Sequence, residues 1–219
     1  MISRISKAAA LCVALLFASG AAMADNLWLG AKVGTLGIGL EGIWRPIPLV
    51  DFRVGGNAYD YDESGSEAGV NYDGTLHLNT YYATANLLFP VSPLRLTVGA
   101  FSNRNEVRLA SGDNATYDIG GVTYTPAEVG TLTSTTSFSG TSPYVGVGFD
   151  FSFFGKLGLN LDLGVLWQGD PTVLLEADGT LANDPTFQSQ LETERLELVD
   201  EMDALKAYPV VSLGVNFGF

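Results

Sequence analysis

Residues that could perform acid–base or nucleophilic catalysis are few in this sequence. His77 is the only histidine, so any histidine-dependent mechanism must use it. Possible catalytic neighbours are Ser64, Ser66, Glu67 and Asp73. No recognisable catalytic motif surrounds His77, which is predicted to lie near the end of a strand. We therefore expect that the protein is not an enzyme, and a lipid-directed hydrolase or acyltransferase is the alternative.

One acidic run has part of a metal-binding pattern. Residues 60–65 place side-chain oxygens at positions 1, 3 and 5 and a glycine at position 6, as a Ca²⁺ loop does. Asn71 occupies position 12, where such a loop has a bidentate glutamate. We therefore favour a solvated acidic loop here, and we expect neither a metal nor a cofactor.

The first 24 residues have the features of a secretory signal peptide. Arg4 and Lys7 precede an apolar stretch over residues 8–18, and residues 22–24 form a small-residue cleavage site. Without this segment, which contains two bases, no acid and the single cysteine Cys12, the net charge of −13 becomes −15. The predicted mature domain, 25–219, therefore has no disulfide or thiolate site. Its negative charge argues against nucleic-acid binding, because phosphate contacts require a basic surface.

Apolar and polar side chains alternate along several segments. Residues 210–219 place Val211, Leu213, Val215 and Phe217 on one face and small or polar residues on the other, as in a half-buried strand. Residues 94–100, 145–153 and 157–167 have the same alternation. Stripes of ~9–11 residues are long enough for a tilted strand to cross a bilayer. The pattern predicts a transmembrane β-barrel, with a soluble β-sandwich as the alternative.

Short connectors determine the expected number of strands. Three of them, at residues 45–48, 90–93 and 154–156, resemble the short periplasmic turns of bacterial barrels. With both termini on the periplasmic side, we predict an all-β fold, an eight-stranded antiparallel transmembrane β-barrel. The predicted strands are 26–34, 36–45, 49–59, 78–89, 94–104, 141–153, 157–167 and 208–219. A single strand over 26–45, without a tight turn at 34–37, would instead give seven strands.

The three long connections predicted on the outer side are acidic. Residues 60–77, 105–140 and 168–207 contain most of the Asp and Glu residues, which would keep outer loops soluble or attract cationic solutes. The last connection contains a predicted short helix, residues 185–206, with Asp184 as N-cap and Pro185 at the first helical position. Its apolar face comprises Phe187, Leu191, Leu198, Met202 and Leu205. This face would pack on the barrel rim or close the mouth as a lid.

Strand parity predicts which charged residues line the lumen. The candidates are Lys32, Glu41, Asp51, Arg53, Arg95, Asp150 and Asp162, accompanied by Tyr82, Asn86, Tyr144, Asn160 and Asn216. Buried charges are costly unless paired, and side chains nearly fill an eight-stranded barrel. One interpretation is a closed, salt-bridged core. The other is a narrow gated pathway whose excess of one acid favours cations.

The predicted location implies partners in the envelope. Outer-membrane lipids and lipopolysaccharide would contact the barrel, and Arg45 and Lys156 at the short turns could meet lipid phosphates. Phe219 provides the terminal aromatic residue expected for recognition by the outer-membrane assembly machinery. Candidates for the aromatic girdles are Trp44, Phe89, Phe153, Phe154, Phe217 and Phe219 on the periplasmic side and Tyr81 and Trp167 on the outer side.

Motifs along the whole predicted mature chain support a family resemblance. They are Val33-Gly34-Thr35 followed by Trp44 and Pro48, then residues 142–149, 169–173 and 214–219. With them the sequence resembles the small eight-stranded outer-membrane barrels of the CarO type and, more broadly, barrels such as OmpW and OmpA. The resemblance implies residence in the outer membrane. CarO-type proteins are described as uptake channels for small, often basic, amino acids, so it also implies transport.

Two functional hypotheses therefore follow from the sequence. The first is a narrow channel or uptake barrel for small solutes with a bias towards cations. Small amino acids are candidate solutes. The second is a closed barrel that serves envelope structure or interactions at the outer surface. Conductance of the purified protein distinguishes the two hypotheses.

Overall fold

The structure is a computed structural model of the 219-residue chain. It describes residues 26–67, 70–111 and 116–219. The predicted signal peptide lies outside these ranges. Within them, no helix is both long and apolar enough to span a membrane.

The described chain consists mainly of antiparallel strands. In chain order the elements are β1 (Leu27–Gly34), β2 (Gly37–Ile47), β3 (Val50–Glu67), β4 (Val70–Leu88), β5 (Leu94–Ser111), β6 (Tyr117–Ile119), β7 (Val122–Tyr124), α1 (Pro126–Val129), β8 (Leu132–Phe153), β9 (Leu157–Trp167), β10 (Thr172–Ala177), α2 (Pro185–Glu201), a 3₁₀ helix (Met202–Lys206) and β11 (Ala207–Gly218). Pairing runs from β1 through β5 to β8, β9 and β11 and returns to β1. These eight strands form a closed barrel, as the sequence predicted.

The two faces of the barrel differ as the alternation requires. On β11, Leu213 is 50% exposed whereas its neighbour Ser212 is 7% exposed. Apolar side chains point outwards along the other barrel strands too, and the eight predicted girdle aromatics are all exposed. A belt of this kind is the surface that a transmembrane barrel presents to lipid.

The first hairpin has the tight turn on which the strand count depends. Gly34 pairs with Gly37, so Thr35 and Leu36 alone form the turn. Gly37 has a φ of 96°, a conformation that glycine adopts without strain. Residues 26–45 therefore contain two strands, and the seven-strand alternative is wrong.

Four neighbouring strands extend well beyond the membrane belt. Residues 59–67 of β3 and 70–79 of β4 continue the barrel pairing, as do 105–111 of β5 and 132–140 of β8. The predicted loops at 60–77 and 105–140 are thus partly wrong, because these segments form a sheet, here called the outer wall, with β10 at one edge. The Ca²⁺-loop pattern also fails, since Asp60, Asp62 and Ser64 lie along an extended strand about 6–7 Å apart and cannot converge on one ion.

The polarity of the sheet inverts where the outer wall begins. Within the belt, β3 places Phe52 and Val54 outwards and Arg53 inwards. Above the belt, the same strand places Asp60 outwards and Tyr59 and Tyr61 inwards. Charged residues suit the outward face there because it no longer contacts hydrocarbon.

A small apolar core joins the remaining outer elements. This cap core consists of the buried residues Tyr117, Ile119, Val129, Phe187 and Leu191. Leu132 of β8 and Leu175 of β10 pack against it, so it covers the β8–β10 end of the outer wall. Before α1, the backbone amide of Thr125 donates a hydrogen bond to the Glu128 carboxylate, which holds the pKa of this exposed glutamate below its ordinary value.

The predicted helix begins as expected and ends earlier. Asp184 Oδ1 accepts hydrogen bonds from the amides of Thr186 at 2.9 Å and Phe187 at 3.0 Å, which confirms the N-cap. The α-helix stops at Glu201, and residues 202–206 form a 3₁₀ helix instead. The tighter winding changes the angular spacing of side chains, and Leu205 is exposed. Only the first part of the predicted apolar face is therefore fully buried.

Candidate functional site: the closed lumen

The structure places all seven predicted lumen residues inside the barrel. Asp51, Arg53 and Arg95 are almost completely buried, Glu41 and Asp162 are buried, and Lys32 and Asp150 are the most accessible of the set. Each lies on a barrel strand at the inward parity, so the strand alternation itself directs these side chains to one another.

The charged residues of the lumen form a network of ion pairs, here called the charged network. Arg53 is the centre of the periplasmic part of this network. Its Nε donates to Asp51 Oδ1 at 3.2 Å, and its Nη2 donates to Asp150 Oδ2 at 2.9 Å. Nη1 reaches Glu41 Oε1 at 3.5 Å. The guanidinium therefore connects β2, β3 and β8 across the barrel with charge-assisted hydrogen bonds.

Arg95 makes the corresponding contacts from β5. Its Nε donates to Asp150 Oδ2 at 3.0 Å, and its Nη2 pairs with Asp162 on β9. Its Nη1 donates to Asn86 Oδ1 at 2.9 Å and Thr97 Oγ1 at 2.8 Å. All the guanidinium nitrogens of this buried arginine are thus hydrogen-bonded.

Glycine makes the position of Arg95 possible. A Cβ added to Gly148, which faces Arg95 across the β5–β8 pair, would lie 2.6 Å from Cζ and 3.0 Å from Nε of the arginine. Ordinary van der Waals contact begins at about 3.5 Å. Glycine at this inward position therefore provides the space for the guanidinium group.

Glu41 joins the network to an aromatic side chain. Its Oε2 accepts a hydrogen bond from Tyr82 Oη at 2.7 Å and lies 3.4 Å from Lys32 Nζ. Lys32 Nζ also lies 4.0 Å from the centroid of the Tyr82 ring, within the range of a cation–π interaction. Both contacts help to compensate the desolvation of Lys32 and Glu41.

Arg45 belongs to the same network, which the sequence did not predict. We expected its side chain at a short turn, available to lipid phosphates. Instead, its Nη2 lies 3.4 Å from Asp51 Oδ2, and the side chain is 32% exposed. Regular pairing of β2 with β3 continues to Trp44, and a register shift follows before Ile47. Arg45, the residue directly after Trp44, therefore keeps the inward parity of Glu41 and Ile43 and points into the barrel.

The fourth base changes the charge balance of the lumen. Among the described residues, the bases Lys32, Arg45, Arg53 and Arg95 face the acids Glu41, Asp51, Asp150 and Asp162. The predicted excess of one acid is therefore wrong, and with it the argument that the lumen itself favours cations.

An apolar layer closes the lumen on the outer side of the charged network. This plug consists of the buried residues Leu36, Tyr82, Phe101, Tyr144, Leu166 and Val210. The Phe101 ring stacks on Tyr82 with a centroid distance of 4.9 Å and contacts Tyr144 at 5.1 Å. Tyr144 occupies space that Gly146 and Gly164 leave open. The sequence analysis placed Tyr82 and Tyr144 inside but missed the layer, which Phe101 at an inward parity could have indicated.

Polar side chains continue the closure above the plug. Asn103 Nδ2 donates to Gln168 Oε1 at 2.6 Å, and Gln168 Nε2 donates to the Leu205 carbonyl at 3.0 Å. Both side chains are buried. The link ties β5 and the end of β9 to the 3₁₀ helix above the plug.

The described part of the barrel contains a small inner cavity and a larger one at the periplasmic end. The first, about 30 Å³, lies between the network and the plug and has room for one or two water molecules. The second, about 140 Å³, is a periplasmic vestibule lined by Trp28, Arg45, Asp150 and Asn216, among others. Among the described residues, Arg45 Nε, Asp150 Oδ1 and Asn216 Oδ1 are buried atoms without a hydrogen-bond partner, and all three belong to residues lining this vestibule. Such atoms require water or a polar solute.

His77 lies away from the lumen. It pairs with Asp60 across β3 and β4 on the outward face of the outer wall. Ser64 pairs with Asp73, four residues further along each strand, which corresponds to about 13 Å. The structure therefore does not bring Ser64 together with His77.

The fold and the lumen together define a class of protein. The chain is a closed antiparallel β-barrel of eight strands with the apolar outward belt typical of transmembrane barrels and with a folded helical cap at one end. Solved structures with this fold include CarO2 of Acinetobacter baumannii, with a TM-score of 0.66, and CarO of the same organism, with a TM-score of 0.64. Each is 24% identical, and each alignment covers 89% of this chain and 98% of the other.

These likenesses confirm the predicted resemblance to CarO-type barrels as a matter of fold. No protein-family model matches the chain, and no curated protein sequence matches it. The barrel fold and its apolar belt agree with the predicted location in the outer membrane.

Proposed function

We propose that the protein is a closed outer-membrane barrel that acts through the folded elements on its outer side. The observation that supports this proposal is the presence of two successive layers across the lumen. One is the network around Arg53 and Arg95, and the other is the plug around Phe101. A solute would have to displace both layers in order to cross.

The energetic cost of opening favours the closed state. Removing one partner from a buried ion pair costs about 3–5 kcal/mol when nothing replaces it. Parting Arg95 from Asp162 alone would thus make an open state rarer than the closed state by roughly 10²–10⁴-fold. The aromatic contacts of the plug add to this cost, so we expect almost no open barrels at equilibrium.

Single-channel recording in planar bilayers tests this proposal. The purified barrel should give no discrete conductance steps under conditions in which an open porin, inserted in the same bilayer, conducts. Insertion is confirmed by recovering folded protein that migrates differently on gels before and after boiling. Discrete steps that depend on the concentration of folded protein would refute the closed state.

A narrow uptake pathway for small solutes is the second candidate. The vestibule favours it, because it is lined by the oppositely charged residues Arg45 and Asp150, whose buried Nε and Oδ1 atoms have no hydrogen-bond partner among the described residues. Any bias of this pathway towards cations would have to come from the acidic outer side, since the charges of the lumen balance. Swelling of protein-containing liposomes in small neutral, cationic and anionic amino acids tests this candidate, and no swelling in any of them excludes it.

The proposed partners follow from the outer surface. We infer that the apolar belt contacts phospholipid and lipopolysaccharide and that Phe219 takes part in recognition by the assembly machinery. We assign no catalytic role to His77, and absence of lipase and acyltransferase activity in the purified protein would support this.

A further inference from the structure

The inner face of the outer wall has an apolar region that the cap core leaves uncovered. The region, here called the upper patch, consists of Tyr59, Tyr61, Leu76, Val107 and Leu109. Tyr61 pairs with Leu76, which in turn pairs with Val107, so the residues form a continuous row across β3, β4 and β5. Leu109 lies beside this row, with its Cδ2 3.3 Å from a Cβ built on Gly74.

The upper patch is accessible although it lies on the concave side of the sheet. Tyr59, Tyr61, Val107 and Leu109 are 42%, 46%, 36% and 46% exposed. The cap core packs against Leu132 and Leu175 at the other end of the same wall and partly buries them. At the β8–β10 end of the outer wall, the inward apolar residues therefore serve to hold the cap core. At the β3–β5 end, the inward apolar residues leave a surface that is available for a ligand.

The dimensions of the upper patch favour a small ligand over a protein. Three strands about 4.8 Å apart span about 10 Å, and four residues along a strand span about 13 Å. This area is several times smaller than the roughly 800 Å² that each partner buries in a stable protein interface. It corresponds to the size of one aromatic ring or a short branched alkyl group.

The electrostatic surroundings favour a cation. The rings of Tyr59 and Tyr61 stack with a centroid distance of 6.3 Å, and the Tyr61 hydroxyl donates to Glu63 Oε2 at 2.6 Å on the same face. Aromatic faces attract cations, and a carboxylate beside them strengthens this attraction. The elements on the outer side carry a clear excess of Asp and Glu, which raises the local concentration of cations and repels anions.

We propose that the upper patch binds small amphiphilic cations, such as ammonium compounds with an aromatic or branched alkyl body. The apolar body lies on Leu76, Val107 and Leu109. The cationic group lies against the tyrosine rings and the Glu63 carboxylate. The inference names a ligand class for the outer-side role proposed above and rests on it. Its test is a binding measurement, whose outcome is independent of the conductance that tests the closed lumen.

The test uses the barrel in nanodiscs of zwitterionic phosphatidylcholine, with benzyltriethylammonium as the probe and empty nanodiscs as the blank. Calorimetric titration should detect saturable binding to the protein, and the neutral analogue benzyl alcohol should bind more weakly. Tyr61→Leu keeps the apolar body but removes the ring and should weaken binding of the cation about 2–5-fold.

The decisive comparison is between two neighbouring carboxylates. Glu63→Gln should weaken binding of the cation about threefold. Asp62→Asn removes the same charge from the opposite face of the same strand and should change binding by less than about 1.5-fold. Both positions lie outside the membrane belt, and heat-modified gel mobility verifies that each variant folds.

Several outcomes would overturn the proposal. They are no binding above the blank at about 10 mM probe, equal effects of Glu63→Gln and Asp62→Asn, and equally tight binding of benzyl alcohol. Binding of a cationic amphipathic peptide without binding of benzyltriethylammonium would overturn it too, because the site would then recognise a macromolecule.

Discussion

Replacing Gly148 with alanine should damage the charged network without touching any charged residue. The added Cβ would lie 2.6 Å from Cζ of Arg95. The guanidinium group cannot move freely, because Asn86, Thr97, Asp150 and Asp162 hold it from several directions. Either the arginine gives up some of these contacts or the β5–β8 pair separates.

The cost follows from the contacts that are lost. Hydrogen bonds to charged groups contribute about 1.5–3 kcal/mol each. Losing one or two of them in the Gly148→Ala variant lowers the free energy of unfolding by about 2–5 kcal/mol. Gly42→Ala is the matched control, because this glycine faces outwards and its added Cβ has Val54 Cγ2 at 4.0 Å as its nearest contact. The control should be neutral or stabilising by up to about 1 kcal/mol.

Urea unfolding in detergent micelles, followed by circular dichroism, measures both variants. A double-mutant cycle with Arg95→Ala identifies the cause, since Gly148→Ala should cost little once the guanidinium is absent. The reasoning is refuted if Gly148→Ala and Gly42→Ala have the same stability, or if the cost of Gly148→Ala persists in the Arg95→Ala background.

Three further predictions concern separate layers of the molecule. Phe101→Ala alone should remain non-conducting in planar bilayers, because the charged network still closes the lumen. Phe101→Ala combined with Arg95→Ala should conduct. Conductance of the single variant would contradict the claim that the two layers close the lumen independently. Asp184→Ala removes the N-cap of α2 and should destabilise the helix by about 1 kcal/mol, seen as faster amide hydrogen exchange in α2 with an unchanged barrel unfolding midpoint; a shifted midpoint would show that cap and barrel unfold together. His77→Ala removes an exposed side-chain contact with Asp60 and should change the free energy of unfolding by less than about 1 kcal/mol, and a larger loss by urea titration would contradict the surface role.

The membrane part of the barrel could be predicted from the sequence because lipid imposes a strict rule on side chains. Residues 211–218 of β11 and 157–165 of β9 alternate between apolar side chains on the outward face and small or polar ones on the inward face, and only the inward Val210 and Leu166 at their outer ends, which belong to the plug, depart from this rule. The turn at residues 35–36 could also be predicted, since glycines flank it. These features depend on the local sequence and on the lipid that surrounds every strand in the same way. They can therefore be predicted without knowing which distant residues are in contact.

Above the membrane this rule reverses, which explains the main error. Asp60 and Asp62 on β3 were interpreted as loop residues, although charged side chains suit the outward face of a strand surrounded by water. The inward tyrosines on the same strand were informative, because they keep the strand period while exchanging the two faces. An inversion of polarity without loss of alternation is thus a sequence signal for a strand that leaves the bilayer.

The composition of the lumen was accessible from the sequence, whereas its pairing was not. Parity alone places Arg53 and Arg95 inside. Their partners depend on the stagger between strands around a closed barrel, which brings Asp150 of β8 within reach of both. Arg45 was missed because the neighbouring bulge obscures where the strand ends, and Leu36 was missed because it enters the plug from a turn.

The most direct test of the closed lumen is the reactivity of a single cysteine placed between the two layers. Cys12 is the only cysteine of the sequence and lies outside the described barrel. Ser212 is buried beside the cavity of about 30 Å³, and Thr35 at the outer turn is exposed. In folded protein, Ser212→Cys should resist a cationic methanethiosulfonate reagent that labels Thr35→Cys readily, and should react fully after unfolding in urea. Labelling of folded Ser212→Cys at the rate of Thr35→Cys would show that the lumen is open to solutes.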